Sequence, residues 1–382
     1  MMNIMSYTKY IFRNAKNKNR SHFSLKKYRG FFNIKTLVLL GVVLSTISFN
    51  SYACTTDNAF NANSTLQPGQ YGIYSAGQDM SPGTVIRLQR FFGVPQPVYC
   101  YTGTYLTFNT IGGVLYGSGT ENIYQTGVQG LGVRFKVTGA PNIIYGSDSR
   151  YALADSFIPN NIVSVDVEFI IMGPLSPGVV NTSAFPVLTI QAVEYGVNYK
   201  VGQFNFTGGS FSVQQPTCTT PDYTYDLLTV GLTSFTGDRQ NSPWIDTPIK
   251  LTNCPTFYGN NSNGSRTYTN IYGQNPQELG AKQPVVLNVS LSPNAGIIDS
   301  KNGIIGLDSS STATGVGIQI GYLLSGNVYT PQNLASTVSM NTTTGVNTPV
   351  YTFPFGARMV RTSGDLAPGR VSSSMTYTVT YK

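Results

Sequence analysis

The chain has 382 residues, with 24 basic and 16 acidic side chains and a formal net charge of +8 at pH 7. This length allows two or three domains of the usual size. Nine of the basic residues and none of the acidic ones lie in residues 1–35, so the rest of the chain is close to neutral. That distribution excludes the polybasic surface typical of nucleic-acid-binding proteins.

The first 53 residues have the three parts of a secretory signal. A basic stretch precedes an uncharged apolar run at residues 36–49, and the small residues Ser51 and Ala53 follow it, as before a cleavage site. The apolar run is shorter than the roughly 20 residues that a membrane-spanning helix needs, so a retained anchor is less favoured. The long basic region indicates either an extended signal or a true start further along the chain. We predict a leader at residues 1–53.

Four cysteines follow this leader: Cys54, Cys100, Cys218 and Cys254. An even number of cysteines in an exported chain predicts disulfides, and the spacing favours the local pairs Cys54–Cys100 and Cys218–Cys254. A metal site is disfavoured, because there is no C-x-x-C pair and His22, the single histidine, lies in the leader. We expect no cofactor.

Short segments in which apolar and polar residues alternate recur after the leader, which is typical of half-buried β-strands. The clearest examples are residues 131–137, 163–171, 285–291 and 375–381. Turn signals containing glycine separate them, and polar runs such as residues 260–265 are predicted to be exposed loops. The pattern predicts an all-β fold of antiparallel sandwiches. The boundary is predicted near residues 214–217, giving domains at 54–215 and 216–382.

Four segments of the second half resemble the pilin domain of chaperone–usher fimbrial subunits in their order and spacing. Cys218 and Cys254 bracket the first segment, and the second, GVGIQI, lies at residues 315–320. The third is FPFGAR at residues 353–358, and the last is the alternating terminal strand with Tyr381 in the penultimate position. The resemblance covers residues 218–382. It implies an immunoglobulin-like sandwich that lacks its last strand.

The same resemblance implies how this domain is assembled. Its terminal strand would border an apolar groove, filled first by a periplasmic chaperone and then by a donor strand of the next subunit at the outer-membrane usher. Met375, Tyr377, Val379 and Tyr381 would line this groove, and the carboxylate of Lys382 would contact basic chaperone residues. An ordinary sandwich strand is the alternative that the alternation leaves open.

Residues 54–215 stand where polymerising pilins carry a short donor extension. The resemblance therefore implies a two-domain adhesin at the tip of a fimbrium on the bacterial surface, with a host glycan or surface receptor as its ligand. This domain resembles fimbrial adhesin domains, but its residues do not align with the sugar-contacting residues of mannose binders. A structural tip or adaptor subunit that contacts protein or an abiotic surface is the alternative.

A polar, tyrosine-rich segment at residues 145–155 is a candidate ligand site, because sugar sites combine a few polar groups with an aromatic lining. In this interpretation Tyr145 or Tyr151 stacks on the ligand, Asp148 and Asp155 accept hydrogen bonds, and Arg150 donates them. A second candidate is residues 116–125, which has a similar composition. Ordinary solvated loops are the alternative for both segments.

Catalysis is disfavoured by the sequence. A glycosidase needs two carboxylates about 5–9.5 Å apart, for which Asp148 and Asp155 are the available pair. After the leader, however, the chain has no histidine, no G-x-S-x-G elbow and no P-loop. We therefore predict a binding protein rather than an enzyme.

Overall fold

The computed structural model describes residues 59–93, 100, 103–117, 122–140, 142–147, 149–153, 158, 162–236, 240–324 and 327–382. These residues form 25 β-strands and one short 3-10 helix, Leu232–Phe235. The prediction of an all-β sandwich fold is confirmed. In this part of the chain, no helix is long and apolar enough to cross a membrane.

The N-terminal half contains twelve strands, most of them antiparallel. They are β1 (Phe60–Thr65), β2 (Ile73–Ser75), β3 (Val85–Phe92), β4 (Tyr105–Ile111), β5 (Ile123–Gln125), β6 (Leu131–Val137), β7 (Arg150–Ala152), β8 (Val165–Ile171), β9 (Gly178–Val180), β10 (Val187–Glu194), β11 (Val197–Gly208) and β12 (Phe211–Gln214). Their sheet orders are β1-β11-β10-β4-β7, β2-β12-β9 and β3-β8-β6-β5. Contrary to the purely antiparallel expectation, β1 runs parallel to β11 and β2 parallel to β12. Two parallel strands need a long connection between them. Here the connection runs through most of the N-terminal half, from β1 to β11 and from β2 to β12.

The C-terminal half contains the remaining thirteen strands. They are β13 (Ile245–Asp246), β14 (Ile249–Leu251), β15 (Arg266–Asn270), β16 (Gln277–Leu279), β17 (Val286–Pro293), β18 (Ile297–Asp299), β19 (Ile304–Ile305), β20 (Val316–Leu324), β21 (Val328–Pro331), β22 (Val338–Asn341), β23 (Tyr351–Phe353), β24 (Phe355–Arg361) and β25 (Met375–Tyr381). One sheet has the order β13-β24-β20-β19-β18, with β21 also paired to β20. A facing sheet has the order β22-β17-β25, and β14 pairs with β23.

One hydrophobic core lies mainly in the N-terminal half and also includes Ile271 of the C-terminal half, and a second core lies in the C-terminal half. The first core packs aromatic rings edge to face, as in the pair Phe169–Phe211, whose centroids lie 4.7 Å apart. Such pairs stabilise a core beyond the area that they bury. The second core lies between the sheets that contain β17 and β20. The two cores agree with a boundary after β12, although the domain limits at 54–215 and 216–382 stay a prediction.

A strand of the C-terminal half completes a sheet of the N-terminal half. β15 runs parallel to β3, with Thr267 opposite Gln89 and Asn270 opposite Phe92, so the full sheet order is β16-β15-β3-β8-β6-β5. All described residues fall within one compact unit. The hairpin of β15 and β16 therefore crosses the predicted boundary and joins the two halves through backbone hydrogen bonds.

The polar run at residues 260–265, predicted to be an exposed loop, is buried at its two ends and exposed at residues 262–264. Asn260 and Asn261 are 1% and 2% exposed. The backbone N–H of Asn261 donates to the carbonyl of Ile86 at 2.8 Å, and its side-chain oxygen accepts from the N–H of Leu88 at 3.3 Å. The prediction of an exposed loop therefore holds for residues 262–264 and is wrong for Asn260 and Asn261, because Asn261 pairs with backbone groups of β3, which composition alone does not indicate.

The disulfide Cys218–Cys254 is formed, as predicted, with Cα atoms 4.2 Å apart. Cys100 is also disulfide-bonded. Cys54 lies outside the described residues, so the pair Cys54–Cys100 stays a prediction.

Two cationic side chains lie near each other at the junction. Arg87 is fully buried, with its guanidinium 4.1 Å from the ring centre of Phe211. The Lys282 ammonium is 3.7 Å from the ring centre of Tyr74 and donates to the carbonyl of Ile73 at 3.0 Å. Desolvation lowers the pKa of Lys282 from 10.5 to about 8, with Arg87 adding to this effect and Glu278 opposing it.

We expect Lys282→Met to remove a pH dependence of stability. Between pH 8 and 10.5 the unfolded chain holds a proton on Lys282 that the folded chain has lost. The free energy of unfolding therefore rises with pH in that window. The wild type should gain at most about 3.5 kcal/mol relative to Lys282→Met, since one pKa unit corresponds to about 1.4 kcal/mol. Chemical denaturation across this pH window measures the difference.

The matched control is Lys250→Met, because Lys250 is an exposed lysine on β14. It should show the pH dependence of the wild type. Identical pH dependence for Lys282→Met and the wild type would contradict the assigned burial cost.

Non-reducing peptide mapping of the mature protein should find Cys54 joined to Cys100, in addition to Cys218–Cys254. A local bridge of this kind closes a loop within the N-terminal half, which should stabilise it by roughly 3–4 kcal/mol. A free thiol at Cys54, or a bridge to the other half, would contradict the pairing.

Candidate functional site: the groove beside the terminal strand

Among the described strands, β25 pairs with β17 on one side and with no strand on the other. The N–H of Lys382 donates to the carbonyl of Val286 at 3.0 Å, and the N–H of Asn294 donates to the carbonyl of Ser374 at 3.0 Å. Backbone groups alternate in direction along an antiparallel strand. The N–H and C=O groups of Met375, Tyr377, Val379 and Tyr381 therefore point away from β17. We call this side the open edge.

An apolar groove of about 1120 Å³ lies beside β25. Its floor comes from both sheets of the C-terminal core and comprises mainly Ile249, Leu291, Ile305, Val316, Ile318, Ile320, Phe355, Ala357 and Met359. One wall is residues 366–377, and the other is the segment 222–235. The groove thus exposes a surface that would be the interior of a complete sandwich.

The opposite wall is held by tyrosine hydroxyls. The Tyr223 hydroxyl donates to the carbonyl of Lys250 at 2.7 Å, and the rings of Tyr223 and Tyr225 stack 6.0 Å apart. On β25, the Tyr377 hydroxyl donates to the carbonyl of Pro221 at 2.5 Å. Burial raises the pKa of Tyr377, so this hydroxyl stays a donor at neutral pH.

Of the four β25 residues predicted to line the groove, Met375 and Tyr377 do so, whereas Val379 and Tyr381 lie outside its lining. Val379 packs on the same core as Met375 and Tyr377. Tyr381 is only 5% exposed and lies outside the groove lining. Its hydroxyl accepts from the N–H of Cys218 at 2.9 Å, so its ring fixes the end of the strand instead of lining an open surface.

Of the predicted ligand residues, Tyr145 belongs to the core of the N-terminal half. Its side chain is fully buried, and its ring packs edge to face against Phe108 with centroids 5.3 Å apart. Burial raises the pKa of its hydroxyl. The proposal that Tyr145 stacks on a ligand is therefore wrong, because its ring has no face open to solvent.

Arg150 and Tyr151 lie on β7, at the edge of the five-stranded sheet. Arg150 is exposed, and its guanidinium lies 4.7 Å from the ring centre of Tyr105 on β4. Tyr151 is half-buried against the core. Asp148 and Asp155 lie outside the described residues. Tyr105 was missed from the sequence, although the alternation of residues 105–109 could have indicated an outward side chain there.

The second candidate segment, residues 116–125, is only partly described. Tyr124 is 3% exposed, and its hydroxyl donates to that of Thr110 at 2.8 Å. Residues 118–121 lie outside the described part. In the part that the structure describes, no cluster of three or more His, Cys, Asp or Glu side chains could hold a metal ion.

Residues 205–382 match the model of the family described as "Fimbrial protein". Over these residues the chain is similar to fimbrial proteins. The match includes β25, both walls of the groove and its floor, so the resemblance predicted for residues 218–382 is confirmed. We refer to residues 205–382 as the fimbrial domain.

No curated protein matches the chain. Among solved structures, it is similar to the CupB6 tip adhesin from Pseudomonas aeruginosa, with 14% identity and a TM-score of 0.33, covering 86% of this chain and 94% of that chain. It is also similar to a chain from a chaperone–tip adhesin complex of CFA/I fimbriae biogenesis, with 11% identity and a TM-score of 0.22, covering 85% of this chain and 96% of that chain.

The fimbrial domain ends beside the N-terminal half. Lys382 is exposed and lines a cavity of about 350 Å³ together with Asp79, Ser81 and Ser262. The chain end is therefore reachable from solvent, but next to the junction between the halves.

Proposed function

We propose that this chain is an adhesin at the tip of a chaperone–usher fimbrium, exported through the periplasm to the bacterial cell surface. The observation that supports this most directly is the open edge of β25 beside an apolar groove, within the fimbrial domain. The first core, which lies mainly within residues 60–213, precedes most of that domain, where a polymerising subunit would carry a short donor extension.

The occupant that we propose for the groove is an extended donor strand of the next subunit. The open edge offers unpaired backbone donors and acceptors, and the apolar floor suits alternate apolar side chains of an added strand. Before assembly, a periplasmic chaperone would lend such a strand and contact the carboxylate of Lys382, and the outer-membrane usher would exchange it for the donor. Leaving this edge unpaired would favour aggregation.

The N-terminal half would carry the receptor site, with a host glycan as the ligand. Arg150 is an exposed donor on β7, and the face of Tyr105 lies under its guanidinium. Tyr151 borders the same strand, and Asp148 and Asp155 are neighbouring acceptors in the sequence. In this proposal the protein binds and assembles, and carries out no catalysis.

We expect a synthetic donor peptide to bind the exported full chain. A peptide of about nine residues, with valine at alternate positions, should fill the groove and raise the melting temperature, because it binds the folded state. Met375→Asp should weaken binding by roughly tenfold to a hundredfold, since the added charge would be desolvated in the groove. Calorimetric titration and thermal melts measure both effects.

The matched control is Thr378→Asp, because Thr378 is exposed on the opposite face of β25. It should bind the peptide like the wild type. A chain that is a soluble, stable monomer and binds no donor peptide would refute the donor-strand function. The full chain is used because isolating residues 216–382 would also strip β15 from β3.

We expect Arg150→Ala and Tyr105→Ala to reduce glycan or cell binding by roughly tenfold to a hundredfold, the cost of losing a charged hydrogen-bond partner or a stacking face. A glycan array with the full chain identifies the ligand, and titration measures the loss. Asp148→Ala and Tyr151→Ala test the remaining predicted positions. Lys301→Ala, an exposed change in the fimbrial domain, should bind normally. Binding to protein or abiotic surfaces alone would favour the adaptor role.

A further inference from the structure

One position on the open edge of β25 is already paired, and its partner is in the N-terminal half. The N–H of Tyr381 donates to Oδ2 of Asp79 at 2.9 Å. The N–H of Asp79 donates in turn to the carbonyl of Tyr381 at 3.0 Å. Asp79 therefore satisfies both backbone groups that Tyr381 would offer to an added strand.

Asp79 belongs to a short turn, residues 77–80, that is held close to β25. The turn is closed by the N–H of Met80, which donates to the carbonyl of Gly77 at 3.3 Å. The preceding strand β2 is anchored on both sides, since the N–H of Ser75 donates to the carbonyl of Gly259 at 2.9 Å and that of Ala76 to Gln214 at 3.0 Å. The turn is thus fixed by contacts with both halves.

The approach of this turn to β25 requires glycine at position 77. A Cβ atom on Gly77 would lie 2.2 Å from the carbonyl oxygen of Tyr381 and 2.8 Å from Cα of Lys382. Both are backbone atoms of the terminal strand, which cannot move aside as a flexible side chain would. Any larger residue would push the turn away from the strand.

We propose that the turn at residues 77–80 is the stop of the donor-strand site, so that a donor strand pairs with Met375–Val379 and ends before Tyr381. This inference rests on the proposed donor-strand function. The open backbone groups that remain are those of Met375, Tyr377 and Val379. A donor strand that continued to Tyr381 would have to displace Asp79 and break both of its hydrogen bonds. The N-terminal half thereby sets the length and register of the partner strand.

Hydrogen exchange of the peptide-free full chain tests the contact itself. The amide of Tyr381 should be more protected than the open-edge amides of Tyr377 and Val379, because it alone of the three has a partner at this edge. Asp79→Ala should lower its protection roughly tenfold to a hundredfold, as expected for losing a hydrogen bond to a charged group. Asp79→Asn keeps an acceptor oxygen and should lose less. Asp79 is exposed, so neither change removes core packing.

The length of the donor peptide tests whether the turn at residues 77–80 limits how far a donor strand can pair along β25. The valine-alternating donor peptide is extended by two residues at one end or at the other, and the affinity of each form is measured. For the wild type, only one extension should improve binding, because the other meets the turn. For Asp79→Ala and Gly77→Ala, both extensions should improve binding, the second by roughly tenfold for its added backbone hydrogen bonds. Gly173→Ala is the matched control, because a Cβ there contacts nothing within 4 Å.

The outcomes separate this inference from the function on which it rests. Equal gains from both extensions in the wild type, or a Tyr381 amide that exchanges as fast as that of Val379, would overturn the stop and leave the donor-strand function standing. Failure of every peptide to bind any variant would refute the donor-strand function itself.

Discussion

Backbone pairing at sheet edges determines how this protein is joined, because an N–H or C=O group that is removed from water must find a partner. β3 would be an edge of the N-terminal sheet, and β15 of the C-terminal half covers it. At Tyr381, the last open group of the terminal strand is covered by Asp79 of the N-terminal half. Each half therefore contributes to an edge of the other, and the rest of the open edge of β25 pairs with no described strand.

The features that the sequence predicted well depend on local order. Alternation sets which residues of a strand face the core, so residues 131–137 and 375–381 correspond to β6 and β25 at both ends. The GVGIQI and FPFGAR segments lie in β20 and at the β23–β24 junction, which pair or pack around one core. The groove was anticipated from the resemblance of residues 218–382 to pilin domains, because alternation alone also fits an ordinary sandwich strand.

The features that the sequence did not predict depend on which distant segments meet. Tyr145 has the composition of a ligand residue, yet the fold turns its ring onto Phe108. Asp166 and Glu168 alternate with apolar residues, as a solvated face would. In the structure, however, they are almost completely buried and form ion pairs with Arg90 and Arg134. Asn261 reads as a loop residue until β3 is placed beside it. For Asp166, Glu168 and Asn261, a polar residue type in the sequence indicates the need for a hydrogen-bonding partner, and that partner is another part of the chain.

The sheet that the two halves share also constrains the order in which the chain can fold. Residues 60–214 leave the ribosome before residues 266–270 exist, so β3 must wait with one side unpaired until β15 is made. A waiting strand edge is the kind of surface on which newly made chains associate wrongly. The N-terminal half can therefore reach its final sheet only after most of the chain has been produced. A chain that stopped between β12 and β15 would lack the C-terminal half, and it would also leave β3 of the N-terminal half without its neighbouring strand.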